Sequence, residues 1–137
     1  MPINIFIEKT KIFLLYRYYL SDSSSFFNWL KQEKESSHKE NQLTRIEKIE
    51  WLFKCLQKER ELASEIENKL NEGWFFDYLP PLEKSILIYS SYEILFNQKM
   101  PIPSLINQII EFSKKYLEPN KYGYINKVLD LLFKQKN

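Results

Sequence analysis

Six lysines lie in the last quarter of the chain, and lysine side chains are suited to holding phosphate groups. From Lys114 to the C-terminus only Glu118 and Asp130 carry the opposite charge. The lysines are Lys114, Lys115, Lys121, Lys127, Lys134 and Lys136. The formal net charge of the whole chain is only +2, which alone does not indicate a nucleic-acid-binding protein. The uneven distribution of charge predicts a basic C-terminal region instead.

The residue types that act in catalysis or bind metals lack partners at the spacings that an active site or a metal site requires. His38 lies in a polar stretch without a second histidine, so an exposed side chain is a better interpretation than a metal ligand. Cys55 has no nearby histidine and is predicted to be a buried structural thiol. Two glycines cannot build a phosphate-binding loop. Glutamates two apart, such as Glu59 and Glu61, point to different helix faces. We therefore expect neither an enzyme nor a bound cofactor or metal.

The composition predicts one helical domain. The chain has 137 residues, of which 44% are hydrophobic and 16% aromatic, enough to build a core. The scarcity of glycine argues against a β-sandwich with many tight turns. We find neither an internal repeat nor a low-complexity linker. The prediction is an all-α fold in a single domain over residues 1–137, with an N-terminal helical part at about 1–73 and a C-terminal part at about 80–135.

Apolar residues at three- and four-residue steps predict six to seven helices. The first three expected spans are about 8–20, 26–33, and 46–70 as one helix or as two broken near 58–61. The next are 82–96, a helix whose start is marked by Pro101 and Pro103 and which ends near 116, and a last one over 124–132. A capping box is predicted at Thr44–Glu47, and Gly73 is expected to be a helix C-cap. Residues 33–41 are predicted to form a loop, and residues 74–76 to fold back onto the core.

The lone Cys55 permits no internal disulfide, which fits a reducing compartment. Apolar runs are too short to cross a bilayer. The N-terminus shows neither a charged start nor a cleavage site of the secretory type. We expect a cytoplasmic protein that does not enter a membrane.

The order of several short motifs resembles that of the NusB family of transcription antitermination factors. The likeness is strongest from Leu82 to Leu132 and weaker before it. It is carried by Leu15-Tyr16, by Tyr92-Glu93-Ile94, by the stretch from Pro101 to Asn107, and by Tyr124-Ile125-Asn126. Each of these motifs is weak alone, but their order, separations and proline breaks together are fairly specific.

The resemblance implies an all-α fold arranged as two small helical bundles, and a role in antitermination. NusB proteins bind the boxA element of ribosomal RNA leaders together with NusE, a ribosomal protein, and act on the transcription elongation complex. Tyr16, Tyr92 and Glu93 would lie near the surface that faces NusE. The residues that would face RNA are Lys9, Lys11, Tyr116, Asn120, Lys121, Tyr124 and Lys127.

The physical character of these positions agrees with part of that implication. Aromatic rings stack on unpaired bases, and ammonium groups beside them hold phosphates. Tyr124 also fits the apolar stripe of its helix, so a core position and an RNA-stacking position are both open. The family usually begins with an arginine-rich helix, where this chain has only Lys9 and Lys11. Gln108 and Lys127 replace an expected Glu and Gly.

Two alternatives stay open, one because the first helix is nearly neutral and one because NusB-like domains also occur fused to ribosomal RNA methyltransferases. The chain could be a helical interaction module that binds no RNA, or an accessory domain that works in trans with a ribosomal RNA methyltransferase. NusB-like proteins occur as monomers and dimers, so a homodimer is also compatible with the resemblance.

Overall fold

Seven α-helices make up most of the computed structural model, which describes residues 5–35 and 42–136. The helices are α1 (Lys9–Leu20), α2 (Ser23–Glu35), α3 (Gln42–Gln57), α4 (Glu59–Glu67), α5 (Pro81–Tyr92), α6 (Ile102–Tyr116) and α7 (Tyr122–Lys136). A short 3-10 turn, Phe76–Tyr78, precedes α5, and a π-helical turn, Glu93–Asn97, follows it. No strand occurs within these ranges, so the predicted all-α class and helix number are confirmed.

Polar and proline residues set most helix ends, as the sequence predicted. Asp22 caps α2, because its Oδ1 accepts the backbone N–H of Ser25 at 2.8 Å. The hydrogen bonds from Ser25 lower the pKa of the Asp22 carboxyl group. Pro81 is the first residue of α5, where its missing N–H costs no hydrogen bond. Of the two alternatives for residues 46–70, the structure has the broken one, with the break between α3 and α4 at Lys58.

The predicted ends of α2 and the predicted start of α3 were wrong. Helix α2 begins at Ser23 and extends to Glu35, so it takes in the first residues of the predicted loop. Helix α3 begins at Gln42, which places Thr44 inside the helix and not at a capping box. Apolar periodicity missed these terminal turns of α2 and α3 because most residues in them are polar. His38 lies outside the described residues.

Gly73 lies in a turn and not at a helix C-cap, because α4 already ends at Glu67. The backbone N–H of Trp74 donates to the Asn71 carbonyl at 3.0 Å across this turn. The φ angle of Gly73 is +86°, in the left-handed region where a side chain is strained. The glycine is therefore needed for backbone conformation.

Replacing Gly73 by alanine is expected to lower the free energy of unfolding by about 1–2 kcal/mol. The cost comes from the backbone alone, because an added Cβ would meet no atom within 4 Å. Gly123→Ala is the matched control, since that site in α7 is equally open and has no positive φ. It should be neutral or stabilising by up to about 1 kcal/mol. Urea denaturation of both variants measures the difference, and equal effects would contradict it.

Helix α5 is the central element and is buried along most of its length. Its most extensive partner is α1, and it also packs against α4, α6 and α7. Two of its three buried serines bond back to their own helix: the Ser85 hydroxyl donates to the Pro81 carbonyl at 2.7 Å, and the Ser90 hydroxyl donates to the Ile86 carbonyl at 2.5 Å. One hydrophobic cluster contains buried residues of α5 together with residues from both halves of the chain. Helix α5 therefore joins the two halves into a common core.

The remaining contacts form two groups of helices. Helices α1, α2 and α3 contact one another, and α5, α6 and α7 do so as well. Helix α4 follows α3 but packs mainly against α5, and it also contacts α7. The assignment of residues 1–137 to a single domain stays a prediction.

Candidate nucleic-acid interface

Tyr124 stands near the start of α7, and its two ends have different surroundings. Its hydroxyl donates to Glu83 Oε1 at 2.5 Å, and Glu83 is buried. Its ring meets the edge of Trp74 at a centroid distance of 5.3 Å. Burial, and next the hydrogen bond to Glu83, raise the pKa of the Tyr124 hydroxyl above its ordinary value. The residue is half-buried, so it braces α7 against α5 and still presents part of its ring.

Cations lie on both sides of Tyr124 along the chain. Lys127 is exposed, and its Nζ lies 3.1 Å from Asn71 Oδ1. Lys121 is half-buried and lines a cleft in front of the turn at Gly73. Asn120 is exposed at the end of the α6–α7 connection. Three of the residues predicted to face RNA therefore flank Tyr124 with polar or charged groups that solvent can reach.

An aromatic segment whose exposure differs from the prediction lies beside Tyr124. The prediction that residues 74–76 fold back onto the core holds for Phe76, which is buried, but is wrong for the other two. Trp74, Phe75 and Tyr78 are 42%, 51% and 84% exposed. No helical period applies to this irregular segment, so the sequence contains no signal of which rings turn outward.

Tyr116 and Lys9 belong to a second surface region. Tyr116 is exposed at the end of α6, and its ring packs against Phe13 of α1 at 5.6 Å and against Phe112 at 4.8 Å. Lys9 is exposed at the start of α1, and it lines a cleft of about 250 Å³ together with Lys115 of α6. Packing of α1 against α6 side chains thus brings a lysine from each helix to one cleft.

Gln108 holds the segment that leads into Lys9. Its Oε1 accepts the backbone N–H of Ile7 at 2.9 Å, and its Nε2 donates to the carbonyl of Ile5 at 3.0 Å. A glutamate could accept the first bond but has no N–H for the second. The departure from the expected Glu therefore gives this chain a two-sided clamp on its N-terminal segment.

Lys11 is placed differently from Lys9. It is 4% exposed, its Nζ lies 2.6 Å from Glu8 Oε2, and it sits 5.0 Å from the centre of the Trp51 ring. Its charge is already neutralised and covered by neighbouring side chains. A structural role explains this residue better than the predicted contact with RNA phosphate.

The three residues predicted to face a protein partner differ in exposure. Tyr16 is half-buried on α1, whereas Tyr92 and Glu93 are buried. Tyr92 packs edge-on against Trp51 at 5.7 Å, and Glu93 Oε2 accepts a hydrogen bond from Asn97 Nδ2 at 2.6 Å. Glu93 and Asn97 belong to the π-helical turn, a feature that is frequent at functional sites.

A charged cleft of about 320 Å³ opens beside Tyr92. It lies between α1, α3 and the π-helical turn, and Trp51, Tyr92 and Asn97 line it together with four lysines and three glutamates. A partner that reaches Tyr92 must enter this cleft, because the tyrosine has little other exposed surface.

Residues with catalytic potential are few in the described ranges. Cys55 is buried, and burial raises the pKa of its thiol, which disfavours the nucleophilic thiolate. No group of three or more His, Cys, Asp or Glu that could hold a metal ion occurs within residues 5–35 and 42–136. In the same ranges, no helix combines the length and the apolar character that a membrane span requires.

Comparison with known proteins identifies relatives over most of the chain. A profile of the NusB family matches residues 11–134. The transcription antitermination protein NusB of Methylacidiphilum infernorum is 33% identical over 88 residues, which cover 64% of this chain and 62% of that protein. The protein of the same name from Clostridium tetani is 29% identical over 119 residues, covering 85% of this chain and 77% of its own length.

The matched part of some relatives is shorter. The NusB of Thermodesulfovibrio yellowstonii is 32% identical over 76 residues, covering 56% of this chain and 50% of that protein. The chain thus spans 62% and 50% of the length of the Methylacidiphilum and Thermodesulfovibrio relatives.

Proposed function

Because the chain belongs to the NusB family, we propose that it acts in transcription antitermination by binding boxA-type ribosomal RNA leaders together with the ribosomal protein NusE. The complex would act on the transcription elongation complex in the cytoplasm, and the chain itself would be no enzyme. Its relatives in Methylacidiphilum infernorum and Clostridium tetani are named transcription antitermination proteins, which supports this role.

The placement of Tyr124 is the observation that supports RNA binding most. Its ring is held from one end by Glu83 and from one edge by Trp74, so it loses little conformational freedom when a base stacks on it. Lys121 and Lys127 flank it in sequence and can hold the phosphates on either side of that base. Asn120 adds an exposed amide that can pair with a base edge.

Lys9 and Tyr116 extend the proposed RNA surface to a second region. The exposed Tyr116 ring offers another stacking face. Lys9 and Lys115 line the neighbouring cleft as two cations, beside the carboxylate of Glu111, which is paired with Lys114. A single strand that contacts both regions would be held by rings and ammonium groups in alternation, which is typical of single-stranded nucleic-acid binding. We leave Lys11 out of this surface because it is buried and paired.

NusE is proposed to bind on the side of Tyr16, Tyr92 and Glu93. Tyr16 can contact a partner directly because it is only half-buried. Tyr92 lines the charged cleft, so a partner would contact it from within that cleft. Glu93 lies in the adjoining π-helical turn, where it accepts a hydrogen bond from Asn97, which also lines the cleft. The mixture of lysines and glutamates there suits a polar partner surface better than an apolar one.

Replacing Lys9 by alanine is expected to weaken binding of boxA-type RNA about two- to fivefold and to reduce the slope of log affinity against log salt by about 0.7. Lys11→Met is the matched comparison, because it removes a lysine charge from the same helix and keeps an apolar side chain over Trp51. It should leave both the RNA affinity and the salt slope unchanged. Fluorescence anisotropy across a salt series measures both. A loss of slope from Lys11→Met would return Lys11 to the RNA surface.

The proposed function is tested by the affinity of the purified chain for a boxA-type RNA and for a scrambled RNA of equal length. Tighter binding to the boxA-type RNA, strengthened by NusE, supports the proposal. Equal affinity for both RNAs, with NusE present, rejects it.

An interaction module that binds NusE but no RNA is the second candidate. The burial and pairing of Lys11 favour it, because they remove one of the two cations in the first helix. This module would form a complex with NusE whose RNA affinity is no higher than that of NusE alone.

A further inference from the structure

The segment between the Gly73 turn and α5 presents aromatic rings outward although its backbone is fixed. The buried side chains of Phe76 and Leu79 anchor it in the core. The Phe76 N–H donates to Glu67 Oε1 at 2.9 Å, and the Tyr78 N–H donates to the Phe75 carbonyl at 3.1 Å. A segment with such anchors holds its exposed rings in place before any ligand arrives.

The exposed rings adjoin the region around Tyr124. Trp74 meets Tyr124 edge-on at 5.3 Å, and Phe75 meets Tyr78 edge-on at 6.0 Å. Trp74, Phe75, Tyr78 and Lys121 line one cleft of about 250 Å³. The proposed RNA surface therefore continues into this cleft without a break at Trp74.

Contact of exposed aromatic rings with water is unfavourable, and clusters of such rings usually mark a binding surface. We propose that Trp74, Phe75 and Tyr78, named here the aromatic platform, stack the unpaired bases that flank the boxA-type element at Tyr124. This inference rests on the proposed RNA-binding function and adds a subsite to it. The platform would extend the length of RNA that the protein contacts.

The charges around the platform decide which part of the nucleotide it holds. Glu72 and Asp77 are exposed on the same segment and would repel phosphates. Glu83 also lines the cleft, but it is buried and its Oε1 accepts the Tyr124 hydroxyl. The bases, which are uncharged, would lie on the rings, and the backbone would follow Lys121 and Lys127. Because stacking needs only a flat ring, the platform would tolerate many base sequences.

The test compares a boxA-type RNA with the same RNA extended by oligouridine at both ends. The wild-type chain, with NusE present, should bind the extended RNA at least about fivefold more tightly, as expected from one added stacked base. The double variant Phe75→Ala, Tyr78→Ala should lose this gain and keep its affinity for the unextended RNA. Trp74 is left in place because it supports Tyr124. Phe53→Ala removes an exposed ring on α3 and serves as the control that keeps the gain.

The remaining outcomes separate the two claims. If the wild-type chain binds neither RNA, the proposed function fails and the platform fails with it. If it binds both RNAs equally, RNA binding stands and the platform is wrong. A double variant that binds both RNAs more weakly by the same factor would keep the gain from the extension, which overturns the inference. A double variant that loses its affinity for NusE instead would show that the rings contact protein, which also overturns the inference.

Discussion

Replacing Tyr124 by alanine is expected to reduce the affinity for boxA-type RNA by about 5- to 150-fold, the range for one lost stacked base. The reason is geometric, because Tyr124 is the ring that Lys121 and Lys127 flank. The same change should lower the free energy of unfolding, since it also removes the hydroxyl that donates to the buried Glu83. RNA affinity is measured by fluorescence anisotropy, and stability by urea denaturation of the free protein.

Tyr124→Phe separates the two roles of this residue. It keeps the ring and removes the hydroxyl, so the Glu83 carboxylate loses a hydrogen-bond donor. The free energy of unfolding should fall by about 1–3 kcal/mol, whereas RNA affinity should change little. If Tyr124→Ala destabilises the protein but leaves RNA affinity intact, the residue belongs to the core and carries no stacking role.

The largest expected loss of stability comes from Phe26→Ala. Phe26 is 1% exposed and its ring contacts the rings of Tyr18, Phe27 and Trp29. Truncating a buried phenylalanine costs about 3–5 kcal/mol through lost burial and the cavity left behind. Domains of this size have a total stability of about 5–15 kcal/mol, so the variant should be close to unfolding. The midpoint of urea denaturation gives the change.

Phe27→Ala is the matched control for Phe26→Ala. Phe27 is the next residue of α2, but it is 40% exposed. Its ring stacks on that of Phe53, with 6.0 Å between the ring centroids. We expect a cost of about 1 kcal/mol. Equal losses from the two variants would mean that α2 does not pack on α1 through Phe26.

Helix periodicity and proline positions predicted most of the fold. The stripe of apolar residues in α1 and the proline at the start of α5 each depend on local chemistry that the sequence displays. The start of α3 at Gln42 and the turn at Gly73 were missed for a physical reason. Polar residues extend a helix without changing its apolar stripe, and a glycine with positive φ serves a turn as well as a helix end.

Exposure was the part of the candidate site that the sequence could not supply. Lys9 and Lys11 are the same residue type two positions apart in the sequence. Lys9 is exposed, whereas Lys11 lies over Trp51 with its charge paired to Glu8. Tyr92 and Glu93 are likewise buried by packing from α3 and by the π-helical turn. These differences arise from contacts between elements distant in the chain, which spacing along one helix does not encode.

The measurement that tests the central claim most directly is the salt dependence of boxA-type RNA affinity, with and without NusE. Phosphate contacts release counterions, so the logarithm of affinity should fall linearly with the logarithm of salt concentration, by about 0.7 per contact for a single strand. We predict a slope that reflects several contacts, and tighter binding when NusE is added. Complex formation with NusE that shows no RNA affinity beyond that of NusE alone, at any salt concentration, would contradict the account and leave a protein-interaction module.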